Sequence, residues 1–151
     1  MGEKGQLAKR YFQEGYNCAQ AVAMVFSEDT GFDKASLAKM TVGFGGGMGR
    51  MREVCGAFSG IALIISLKYG SSLPNNDNKK EVYKIIQELA QEFKNQNGSI
   101  VCRELLGLSK NENGGSPEKR TSEYYKKRPC ADIVAGAADV LDSYLKAHSN
   151  K

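Results

Sequence analysis

Cys55-Gly56-Ala57-Phe58-Ser59-Gly60-Ile61-Ala62-Leu63-Ile64-Ile65-Ser66-Leu67-Lys68-Tyr69 is apolar on almost every side, whatever period is imposed on it. Periodicity alone cannot separate a buried strand from a buried helix in such a run. Its length and its Ala and Leu content favour a helix over residues 52–69. A helix apolar all round belongs inside a core, with other elements laid against it. The longest apolar run, Val54 to Leu67, spans about 14 residues and is broken by Ser59 and Ser66. A membrane-spanning helix needs roughly 20.

The flanking segments supply partners for that helix. Val82, Ile85, Ile86, Leu89, Ala90 and Phe93 form one apolar stripe, so the pattern predicts a helix over Asn78–Asn97. Asn78 with Glu81 reads as a capping box, and Gly98 as a stop. Residues 6–27 repeat the pattern through Leu7, Tyr11, Cys18, Val22 and Val25. A short helix near 34–42 follows the cap candidate Asp33. Ser99 is positioned to cap a brief helix through Leu106 that ends at Gly107. A last helix opens at Pro129, a favourable first-turn residue, and carries Cys130, Ile133, Val134, Ala137, Leu141, Tyr144 and Leu145 on one face. No segment alternates with period two. The expected fold is a compact all-α bundle of about five to six helices, one domain over residues 1–151.

Composition agrees with a single globular domain, with 41% hydrophobic and 25% charged residues in 151. The net charge of +4 is too small to argue for nucleic acid. Most of it sits in the polar stretch 108–128, with six basic and three acidic residues. That stretch reads as a solvated loop, with a docking patch for an acidic partner as the alternative. The N-terminus has no signal-peptide pattern, and Gln6 stands where myristoylation needs Ser or Thr. A cytoplasmic protein without membrane insertion is expected.

In a reducing compartment, Cys18, Cys55, Cys102 and Cys130 are core residues, metal ligands or redox groups rather than permanent disulfides. They are spaced by 37, 47 and 28 residues, without any CxxC. This argues against a zinc ribbon, a thioredoxin-type site and a compact ferredoxin run. Cys55, Cys102 and Cys130 fall at predicted helix starts, where free N–H groups and the helix dipole favour thiolate. Arg52, Arg103 and Arg128 lie nearby in sequence. Cys18 falls inside its predicted helix. Against this stands the plain alternative of small buried hydrophobes.

Between the first two cysteines runs Gly43-Phe44-Gly45-Gly46-Gly47-Met48-Gly49-Arg50. It contains neither a GxGxxG nor a P-loop ending. Gly45, Gly46, Gly47 and Gly49, with Gly56 beyond, permit positive φ and close approach, and their N–H groups could wrap an anionic centre. The alternative is a turn that lets helices pack. His148, the single histidine, reads as an exposed tail residue. Ser59 lies in no GxSxG.

Set side by side, Asn17-Cys18-Ala19, Cys55-Gly56-Ala57-Phe58-Ser59-Gly60, Cys102 with Leu105-Leu106-Gly107, and Cys130 resemble the C_GCAxxG_C_C family of redox-active proteins. The resemblance covers roughly residues 10–146. It implies a redox role for all four cysteines and a prokaryotic origin, often beside transporter genes.

Three readings follow. In the first, Cys18, Cys55, Cys102 and Cys130 ligate an iron–sulfur centre, [2Fe–2S], for electron transfer with a redox partner protein, zinc being the structural variant. In the second, a thiol–disulfide enzyme or switch uses Cys55 as a low-pKa nucleophile with another cysteine resolving it. In the third, a helical interaction module carries inert buried cysteines.

Overall fold

The computed structural model describes residues 1–107 and 129–149. Its helices are α1 (Glu3–Gln13), α2 (Cys18–Met24), α3 (Ser27–Thr30), α4 (Lys34–Thr41), α5 (Gly56–Tyr69), α6 (Asn76–Asn97), α7 (Cys102–Leu106) and α8 (Cys130–Ala147). A 3₁₀ turn, Val42–Phe44, follows α4. There is no strand among the described residues beyond an isolated antiparallel bridge, Val54 to Val101. The fold is all-α. The polar stretch 108–128 lies outside the described residues.

Helix α5 occupies the centre, as its all-round apolarity demands. It packs against α2 on one side and against α6 and α8 on others. Phe58, Ile61, Ile64 and Ile65 are buried there. The Phe58 ring lies 5.7 Å from that of Phe93 on α6. Gly60 lets α2 come close, since a Cβ there would lie 3.1 Å from Val22 Cβ. Helix α1 runs along α8. The Asp139 carboxylate of α8 accepts the N–H groups of Gly2 and Gly5, both at 2.8 Å, and so supplies partners for the open N-terminus of α1.

Two boundaries differ from the sequence reading. Residues 6–27 are not one helix: the chain turns at Gly15, with φ +113°, and restarts at Asn17. Helix α6 begins earlier than Asn78, because Asn75 is its cap and accepts the Asn78 N–H. The Asn78 side chain instead joins Ser71 N–H and Tyr69 C=O. At the far end His148 is half-buried rather than an exposed tail residue. It stacks on Tyr144 at 4.0 Å, with Nδ1 2.8 Å from the Tyr144 carbonyl. No helix among the described residues is long and apolar enough to cross a membrane.

Candidate redox site

Each of the four cysteines stands at the start of a helix. Cys18 is the first residue of α2, Cys102 of α7 and Cys130 of α8, and Cys55 is the N-cap of α5. The expectation for Cys18, a position inside a helix, is thus corrected. A capping box makes the difference: Asn17 accepts the Gln20 N–H, and Gln20 Oε1 accepts the Asn17 N–H, both at 2.9 Å. The start of α7 is also displaced by two residues. Ser99 Oγ accepts the Val101 N–H, and Val101 is the cap position.

The backbone ties these starts together. Cys55 N–H donates to Ile100 C=O at 2.7 Å, and Cys102 N–H donates to Glu53 C=O at 2.6 Å. With the Val54–Val101 bridge between them, Cys55 and Cys102 fall on the same face of a two-stranded junction. Cys18 joins from α2, where its sulfur sits against Gly56 so closely that a Cβ at 56 would collide with it.

The glycine loop lies between. Gly46 N–H points at the Cys18 sulfur. Gly47 packs under Cys102, whose Cβ would be 2.6 Å from a Cβ at 47. Gly45 is pressed against the Asn17 side chain, and Asn17 Nδ2 also donates to Val42 C=O at 2.9 Å. Gly49 meets nothing comparable within its reach.

Further N–H groups of the loop bond within the loop itself. Those of Met48, Gly49, Arg50, Arg52 and Glu53 donate to the carbonyls of Phe44, Gly43, Gly45, Gly46 and Gly47. The loop therefore coils on itself in the left-handed region, carrying Met48, Arg50 and Arg52 at φ +67°, +62° and +63°. Each such non-glycine residue costs about 1–2 kcal/mol. Structure around the cysteines holds that strain in place.

Electrostatics follow the same geometry. Burial pushes the Cys18 thiol up, opposed by the Gly46 N–H and assisted by charge on Cys102. Burial likewise pushes Cys55 up, followed by charge on Cys18, with the Phe58 and Ala57 N–H groups pulling the other way and Cys130 adding a smaller push. The low-pKa Cys55 expected from its helix start is corrected: desolvation outweighs the N–H groups. Charge on Cys102 thus acts on Cys18, and charge on Cys18 and Cys130 acts on Cys55. All four are thiols rather than half-cystines. Among the described residues no three Cys, His, Asp or Glu side chains converge closely enough to hold a metal ion as they stand.

Arg52 is a charged residue buried at this junction, 7% exposed. Its Nη1 lies 3.7 Å from the Cys102 sulfur. The sequence placed it next to Cys55, but the junction turns it to Cys102.

These features define a helical protein whose four thiols each stand at a helix start, with Cys18 and Cys102 packed against one strained loop. The chain belongs to the family described as "Putative redox-active protein (C_GCAxxG_C_C)", whose pattern matches residues 16–144. Redox activity is what that description assigns to the family. No curated protein and no solved structure is detectably similar to the chain.

Proposed function

We propose that Cys18, Cys55, Cys102 and Cys130 form a single redox centre that holds an iron–sulfur cluster and exchanges electrons with a partner protein. The observation that carries this reading is that all four cysteines stand at helix starts, with charge on Cys102 bearing on Cys18 and charge on Cys18 and Cys130 bearing on Cys55. Neighbouring thiolates in a poorly hydrated site repel, which favours the protonated thiols until a cation compensates. Metal ions replace those protons on binding. The cluster, when bound, supplies a one-electron couple at low cost in nuclear rearrangement.

The chain's own groups do the rest. Gly46 N–H faces the Cys18 sulfur, and the Ala57 and Phe58 N–H groups face Cys55. Donors to sulfur favour the more negative form and tune a centre's potential. Burial of Cys55 and Cys102 keeps water from the sulfurs. A lone tetrahedral zinc ion would need all four sulfurs about 2.3 Å from one point.

A second reading has its own observation. The Cys18 sulfur rests on Gly56, the residue after Cys55. A Cys18–Cys55 disulfide would form as both thiols give up their protons and two electrons to a disulfide acceptor, which leaves as two thiols. Protein purified without oxygen separates the two. Stoichiometric iron and sulfide with visible charge-transfer absorption support the cluster. Metal-free protein in which glutathione disulfide links Cys18 to Cys55 supports the switch and contradicts the cluster.

A further inference from the structure

Arginine keeps its charge at every pH a protein meets, so a buried guanidinium must be matched by negative charge or good acceptors. Arg52 is buried, and its Nη1 reaches the Cys102 sulfur at 3.7 Å. We propose that Arg52 is a positioning residue of the cysteine centre: its guanidinium, held against the Cys102 sulfur, favours the more negative, reduced form and so raises the centre's reduction potential. The inference rests on Cys102 being part of a redox centre, and it holds for a cluster or for a dithiol in which Cys102 is one of the two sulfurs, but not for a Cys18–Cys55 dithiol.

The placement is built rather than incidental. Arg52 adopts φ +63°, a conformation that disfavours any residue with a side chain. Its N–H donates to Gly46 C=O at 3.0 Å, and its C=O accepts the Arg103 N–H at 3.2 Å. The next residue, Glu53, accepts the Cys102 N–H at 2.6 Å. Arg52 and Cys102 are therefore locked to each other through adjacent backbone bonds as well as through their side chains. Arg103, although it neighbours Cys102 in sequence, sends Nη2 to the Met51 carbonyl at 3.2 Å. Of these two neighbouring arginines, Arg52 is the one turned to the sulfur.

The sign of the effect is common to both chemistries. One electron from a reduced mediator, which is thereby oxidised, makes a cysteine-held cluster more negative by one charge and breaks no bond. Two electrons from a dithiol donor, which leaves as a disulfide, cleave an S–S bond and leave two sulfurs that can carry charge. In each case the reduced form is the more negative, and a cation fixed in a buried site favours it. Arg52 itself gains and loses no proton in either.

The test is the midpoint potential of the whole protein, wild type against Arg52→Gln, Arg52→Lys and the loop control Arg50→Gln. Circular dichroism checks that each is folded. Arg52→Gln is expected to disfavour reduction about tenfold or more, a downward shift of about 59 mV for a one-electron couple or about 30 mV for a two-electron couple. Arg52→Lys should shift less in the same direction, and Arg50→Gln less than about twofold. An Arg52→Gln potential equal to wild type overturns the inference and leaves the redox centre standing. If Arg52→Gln does not fold, Arg52→Lys decides: a fall of about twofold or more supports the role, and no change overturns it. A wild-type protein with no couple at all overturns the redox centre, and the inference with it.

Discussion

A methyl group at residue 56 would have to share space with the Cys18 sulfur. Gly56→Ala is therefore expected to destabilise by about 1–3 kcal/mol, the usual range for overpacking a filled site. A fall in thermal midpoint of about 2–8 °C would register it, together with faster alkylation of Cys18 as its sulfur is pushed from the junction. The thiols make a second prediction, about pH. In the reduced, metal-free chain, burial holds Cys18 and Cys55 above the ordinary value of 9.0. The folded chain then keeps protons that the unfolded chain releases. Stability from this source is complete below pH 9 and is lost as pH rises toward the folded values. Thermal midpoints from pH 7.5 to 10 should fall, and should fall less in a Cys18→Ser, Cys55→Ser double variant. A slope unchanged by the double substitution would contradict the burial of these two thiols.

At the scale of elements, the helix starts carry the site. Asn17 caps α2 through Gln20, holds Val42 C=O and packs on Gly45, so it joins α2 to the glycine loop. Asn17→Ala should cost about 0.5–2 kcal/mol from the cap alone, measured by urea unfolding, and should disturb Cys18 more than Cys130. The long helices were legible because their apolar stripes are local features of the chain. Helix α5 declared itself by length, and α4 by its cap Asp33, which accepts the Ser36 N–H at 2.7 Å. The break between α1 and α2 was hidden because Leu7 to Val25 keeps one apolar stripe on both sides of it. Asn17 and Gln20, three residues apart after Gly15, carried the signal that could have exposed it. The Val54–Val101 junction had no such signal, since a single bridge leaves no alternation to read. The coil of residues 43–53 was equally hidden. Its bonds run from Gly49 back to Gly43 and from Arg52 back to Gly46, a pattern that no motif records.

On the scale of the whole molecule, helices α2, α5, α7 and α8 bring cysteines 37, 47 and 28 residues apart into one electrostatic neighbourhood. Nothing local in the sequence states that convergence. It was readable only from the order of the four cysteines around Cys55-Gly56-Ala57-Phe58-Ser59-Gly60, the pattern that places the chain in its family. The central claim is that the four thiols act as one unit. The most direct measurement is the visible charge-transfer absorption and iron content of wild type beside Cys18→Ser, Cys55→Ser, Cys102→Ser and Cys130→Ser, all purified without oxygen. The account predicts that each single substitution removes most of the wild-type absorption and iron. Wild-type absorption retained by any one of the four variants would contradict it.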